Sequence, residues 1–385
     1  MNEDQKLSPA SMPPEASRGN SSQGDDGSGA GRFDVLDGMR GLAALFVVTD
    51  HAASTTLQAL MPYRAMAVDF FFVLSGFVLA HAYGARLQRG MSPISFLRIR
   101  LIRLYPLYLL GLFIGAVFVL RNVAGGYSTF TSGDVGYVIG FGLLMLPTPP
   151  GVTARIDAGD PLYPLNGPCW SIFFELGANF FYALIARFLT WRIFAVLLPA
   201  TAIALAFTIF SHDELMNGWL WGGFDYGLAR VAYGFFAGVF IYKTQSACKI
   251  PSLPAWLCFA LLLGLVCMQV PAGWARPAYA VMSIVLVPVL VLISARATVR
   301  GSAAWICGAL GTLSYGFYVL HVPLMLVTDF ERTARFGVEW PFGFVHVIQT
   351  IVVALVAATV ANRFYDKPIR RWLTKLTARR ATMAL

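Results

Sequence analysis

Ten stretches of this chain are apolar for long enough to cross a lipid bilayer, and no other feature narrows the possible folds as much. They fall at about 36–58, 66–85, 104–120, 170–189, 193–210, 225–242, 254–270, 277–294, 305–327 and 342–362. A helix needs roughly 20 apolar residues to cross the hydrocarbon core. No water is available there, so every backbone N–H and C=O must be satisfied internally, which a helix achieves within one segment. The sequence therefore predicts an all-α polytopic membrane protein with about ten transmembrane helices. The charge content agrees. Asp, Glu, Lys and Arg make up 13% of the 385 residues, against about 25% in soluble domains. An ordinary soluble enzyme, a disordered chain and a small disulfide scaffold are excluded.

The flanks read differently. Residues 1–32 are rich in Ser, Gly, Pro and acids. They lack the apolar bulk to fold and the apolar core of a signal peptide. A disordered, uncleaved tail is expected there, followed by a transmembrane domain over 33–372 and a basic C-terminal tail over 373–385. The five cysteines show no CxxC spacing, so neither a metal site nor a disulfide framework is expected.

An eleventh stretch, 134–148, is short, Gly-rich and ends in Pro. Charge decides its reading. With the N-terminus in the cytoplasm, the loop holding Arg86, Arg89, Arg98, Arg100 and Arg103 lies inside. If 134–148 does not cross, the pairs Arg187/Arg192, Lys243/Lys249 and Arg296/Arg300 and the segment from Arg363 to Arg380 lie inside too. If it crosses, all of them move outside. The positive-inside rule favours the first arrangement: both termini cytoplasmic, with 134–148 a re-entrant or interfacial piece on the outer side. The formal net charge of +9 then reflects membrane topology, and no nucleic-acid partner is implied.

Ionisable side chains within membrane spans are costly and are functional candidates by default. In LDGMRGLAALFVVTDHA, Arg40 and His51 are eleven residues apart, so they share one helix face, separated by roughly 16 Å along the axis. A cation able to grip an anion thus lines up with a titratable base. Equally, the Arg can snorkel to the surface and the His can be satisfied by packing. Arg100 and Arg103 make one cationic face where the third span begins. Two guanidinium forks suit a phosphate or pyrophosphate, although a basic loop also signals topology.

On the outer side, Asn166, Trp170 and Ser171 lead into a span that carries Glu175, and Ser171 and Glu175 share a face. Asp69 opens the second span and can serve there as a helix N-terminal charge. Arg230 can bind an anion or pair with Glu175. Ser314 and His321 share a face late in the chain. Ser75-Gly76 and the Gly234/Gly238 pair suit close helix packing. Residues alone also admit a transporter or flippase for an anionic or lipid-linked substrate. A non-catalytic scaffold leaves the buried charge without a purpose.

The blocks LDGMRG with Arg40-x10-His51, VDFFFVLSGF, FLRIRLIRLYP, GPCWSIFFE, LSYGFYVLH and YDKPIRR resemble, in order, those of the membrane acyltransferase 3 family. Met39 and Asp50 depart mildly from the usual pattern. The resemblance implies about ten helices in a bacterial cytoplasmic membrane. It also implies transfer of an acyl group, often acetyl, from cytoplasmic acyl-CoA to a hydroxyl, typically of a cell-surface glycan. Acyl-CoA enters as co-substrate, with no permanently bound cofactor and no metal. Some members carry a fused extracytoplasmic hydrolase-like domain, which this chain is expected to lack. On this reading Arg40, Arg100 and Arg103 hold the CoA phosphates and His51 is the general base. Glu175 orients the imidazole or the acceptor. Asp69, Asn166, Trp170, Ser171, Arg230 and His321 line the acceptor side.

Overall fold

Each of the ten apolar runs holds helix among the described residues. The computed structural model describes residues 33–383 apart from 54, 128–129, 153–159, 216, 249–251 and 337–342. Residues 1–32, expected as a disordered tail, lie outside the described residues. The elements are α1 (Asp34–Ala52), α2 (Thr55–Leu60), α3 (Met66–Gln88), α4 (Pro93–Ala124), α5 (Ser132–Leu143), α6 (Cys169–Ile185) and α7 (Trp191–Ser211). They continue as α8 (Phe224–Thr244), α9 (Ala255–Cys267), α10 (Ala275–Val281), α11 (Val287–Ser294), α12 (Gly301–Phe336), α13 (Phe344–Ala361) and α14 (Lys367–Met383). Among the described residues there is no strand, only an isolated bridge between Pro161 and Leu220. Residues 373–383, expected as a tail, continue α14 as helix.

Among the described residues six helices are long and apolar enough to cross a membrane: 66–88, 93–124, 191–211, 272–294, 301–329 and 344–377. Of the other four runs, α1 and α8 carry interior charges, while α6 and α9 are shorter apolar helices. Much of the surface is apolar: Phe113, Val196, Ile203, Phe207, Trp305 and Val352 are all exposed. Apolar cover on that scale is unfavourable against water and suits lipid.

Small residues set a close helix crossing. A side chain at Gly76 of α3 or Gly238 of α8 would run into the facing backbone at Phe235 and Val73 respectively. This is the close approach that small residues permit in membranes.

Prolines set the breaks. Proline has no N–H, so it frees the carbonyl four residues earlier, and in lipid that carbonyl needs another donor. Pro288 follows the π-helical turn Met282–Leu286 between α10 and α11, and the Tyr233 hydroxyl donates to Ile284 O. Pro323 lies inside α12, and Asn166 Nδ2 donates to Val319 O at 2.9 Å.

Segment 134–148 forms most of α5, whose 12 residues span about 18 Å, short of the hydrocarbon core of roughly 30 Å. A capping box between Thr131 and Asp134 starts the helix. Tyrosines satisfy its last carbonyls: Tyr105 donates to Leu143 O at 2.6 Å and Tyr108 to Gly142 O at 2.8 Å, while Tyr163 donates to Met145 O just beyond it at 2.7 Å.

Candidate active site

Two polar centres lie along α1, one at each end, and α12 contributes to both. At the Arg40 end, Arg40 Nε donates to Ser314 Oγ at 3.0 Å. A terminal N–H of the same guanidinium donates to Gly311 O, and Asp37, one turn earlier, pairs with it at 3.1 Å. Arg100, Arg103 and Glu175 are its further electrostatic neighbours, so the three arginines singled out from sequence lie within electrostatic reach of one another. Arg100 is buried and pairs with Glu175 Oε1 at 3.3 Å. Ser75 Oγ donates to the same carboxylate oxygen at 2.7 Å. With its amide turned to satisfy the network, Asn179 accepts from Arg100 Nε at 3.3 Å and donates to Glu175 O at 3.1 Å. Arg103 is exposed and makes no direct ion pair among the described residues. Guanidinium charge thus exceeds the carboxylate charge in contact with it, which suits an anionic ligand.

At the other end, the rings of His51 and His321 meet edge to face with centroids 5.0 Å apart. Their proton positions follow from their neighbours. His51 Nδ1 lies 2.9 Å from Val47 O, and His321 Nδ1 lies 2.6 Å from Tyr318 O. A carbonyl only accepts, so in the neutral rings both Nδ1 atoms carry the proton and both Nε2 atoms carry a lone pair. His321 Nε2 is 3.3 Å from His51 Nδ1, and so takes a second, longer share of that N–H. His321 is fully buried while His51 is exposed. The neutral His51 ring thus keeps a lone pair on Nε2, while its Nδ1–H is held by Val47 O and His321 Nε2.

The remaining candidates divide. Ser171 Oγ and the Tyr318 hydroxyl lie 2.7 Å apart, and Tyr318 is the residue whose carbonyl holds His321. Ser171 thus joins the histidine pair through Tyr318. Asn166 supports the Pro323 break two residues beyond His321. Arg230, grouped from sequence with Glu175 or an anion, pairs instead with Asp69. Its Nε meets Asp69 Oδ1 at 2.9 Å and its Nη2 meets Oδ2 at 3.1 Å. Its other N–H groups reach Asn217 O and Ala65 O. Tyr279 donates to Asp69 at 2.7 Å, and Trp170 lies against the guanidinium. Both members are almost fully buried, at 1% and 4% exposure. This is a closed ion pair with its hydrogen bonds filled.

The structure therefore assigns Glu175 to the arginine centre. The imidazole of His51 is held by Val47 and His321 instead, a correction to one of the two roles expected for Glu175, that of orienting the imidazole. Asp37, Asn179 and Tyr318 escaped the sequence reading. Two of them had a readable signal: Asp37 stands three residues before Arg40, and Tyr318 three before His321, each within one helical turn. Asp366 escaped it too. It is buried in the π-helical turn Asn362–Asp366 after α13, pairs with Arg370 at 2.9 Å, and has Arg103 as an electrostatic neighbour.

A family model described as an acyltransferase domain matches residues 33–362 of the chain. A Rhizobium radiobacter protein named "Protein 2 in picA locus" is 39% identical over 184 residues, covering 45% of this chain and 93% of its own length. No solved structure matches.

Proposed function

Since the chain belongs to the acyltransferase 3 family, and so is a membrane acyltransferase, we propose that it moves an acyl group, acetyl first among candidates, from acyl-CoA to a hydroxyl of a glycan. The observation that carries this reading is the layout of α1. It has an arginine centre with surplus positive charge at one end and an exposed, oriented imidazole at the other.

In this reading Arg40, Arg100 and Arg103 bind the CoA phosphates by charge-assisted hydrogen bonds. The pantetheine arm runs along α1, bringing the thioester to His51. His51 Nε2 takes the proton of the acceptor hydroxyl as its oxygen attacks the thioester carbonyl. The tetrahedral intermediate then collapses, the C–S bond breaks, and the CoA sulfur receives the proton from His51. The imidazolium formed in between keeps its Nδ1–H on Val47 O and His321 Nε2, so the charged state is met by acceptors already in place. Ser171, Trp170 and Asn166 support the acceptor side indirectly, through Tyr318, Arg230 and α12.

The same reading puts ten spans in a bacterial cytoplasmic membrane, with both termini and the arginine centre on the cytoplasmic side and His51 towards the outer face. The positive-inside distribution supports it. The test uses membranes holding wild type or His51→Ala at matched folded levels, fed acetyl-CoA labelled in the acetyl group. Label entering the glycan fraction with wild type alone supports the reading. Equal labelling by both proteins overturns His51 as base. Label confined to a lipid or small-molecule fraction overturns the glycan acceptor, and a transporter regains ground if no transfer and no CoA binding are found.

A further inference from the structure

His346 stands near the start of α13, and its ring is engaged at both nitrogens. Nε2 lies 2.9 and 3.1 Å from the two carboxylate oxygens of Asp329, and Nδ1 lies 2.9 Å from the carbonyl of Ala52. The ring is buried, while the Asp329 side chain is 30% exposed. With both nitrogens protonated, the ring donates at both ends and bridges α12 to the last residue of α1. Ala52 directly follows His51. Its carbonyl is one of those that a helix C-terminus leaves without an intrahelical partner. His346 therefore caps α1 from another helix, one residue beyond the proposed base.

The preceding residue is held as well. Arg64 pairs with the Asp50 carboxylate, and Gln58 Nε2 donates to Asp50 O at 2.9 Å. Val347 packs against Ala52 and Ala53 in a small apolar cluster. The segment Asp50-His51-Ala52 is thus tied on both sides, while the His51 ring stays exposed. The last turn of a helix frays when its carbonyls lose their donors. The His51 ring takes its direction from that turn through Val47 O.

We infer that His346 and Asp329 form a positioning pair for His51, holding the final turn of α1 so that Nε2 faces the acceptor. The pair does not touch the reacting atoms. It rests on the reading of His51 as base. The arginine centre is roughly 16 Å away along α1, so donor binding is untouched by the pair, and this separates positioning from general structural damage.

The test compares wild type, His51→Ala, His346→Gln and Asp329→Asn in matched membranes, with acetyl-CoA as donor. A glutamine amide can serve only one of the two acceptors. Asp329→Asn keeps the shape at a partly exposed site, so it remains informative if His346→Gln fails to fold. The expected result is a kcat roughly ten- to a hundred-fold lower, the cost of a small misplacement of a reacting group, with KM for acetyl-CoA unchanged. An unchanged kcat in Asp329→Asn, or kcat and donor KM worsening together, overturns the inference while wild type and His51→Ala still differ. If His51→Ala retains wild-type turnover, the parent reading fails first and this inference falls with it.

Discussion

Two buried charged centres in this protein look alike in sequence and differ in balance. Around Arg230 every guanidinium edge has an acceptor, and Asp69 meets it with both oxygens while accepting from Tyr279. Around Arg40 and Arg100 the carboxylates of Asp37 and Glu175 each meet one guanidinium, and Arg103 adds an exposed third. A satisfied ion pair in a low-dielectric interior is a piece of scaffold. A surplus of one sign at an accessible edge is a place for a ligand to complete. Charge within a membrane span marks a residue as important; its partners decide what for.

The comparison is broken most forcefully at the proposed base. His51→Ala is expected to lower kcat by roughly 100- to 10,000-fold, the usual worth of a general base, with the folded yield and acyl-CoA affinity kept. A purely structural His51 would reverse that pattern. Asp69→Ala should do the opposite. Leaving Arg230 buried without its partner costs about 3–5 kcal/mol, read as a fall in thermal unfolding temperature in detergent, with donor affinity intact in the folded fraction. Arg103→Ala separates the centres more gently. Losing one charge-assisted contact to phosphate costs about 1.5–3 kcal/mol, seen as weaker acyl-CoA binding with no change in unfolding temperature. The smallest effect belongs to the scaffold's detail. Tyr233→Phe leaves the carbonyl freed by Pro288 without its donor, at a cost of about 1–3 kcal/mol in stability and none in donor affinity.

Much of the helical layout was legible because lipid imposes a length and a composition on every crossing. That is why all ten apolar runs hold helix among the described residues, six of them long and apolar enough to cross, and why the short, proline-ended segment at 134–148 reads as something other than a span. Which helix faces which was not legible, and the partner assignments suffered accordingly. Arg230 and Glu175 make a plausible pair in sequence, yet one closes on Asp69 of α3 and the other on Arg100 of α4. His321 shows the same limit. Helical spacing puts it on a face with Ser314, but only the packing of α1 against α12 brings its Nε2 to His51. Asn166 is the most instructive case. As an outer polar residue it suggests acceptor binding, whereas its amide repairs the carbonyl that Pro323 frees, two residues from that same histidine.

The account stands or falls on which centre holds the donor. The direct measurement is equilibrium binding of labelled CoA to the purified full-length protein as wild type, His51→Ala and Arg103→Ala. The predicted result is wild-type affinity in His51→Ala and a loss of roughly ten- to a hundred-fold in Arg103→Ala, the equivalent of about 1.4–2.8 kcal/mol. Equal binding by Arg103→Ala and wild type, both folded, would contradict it.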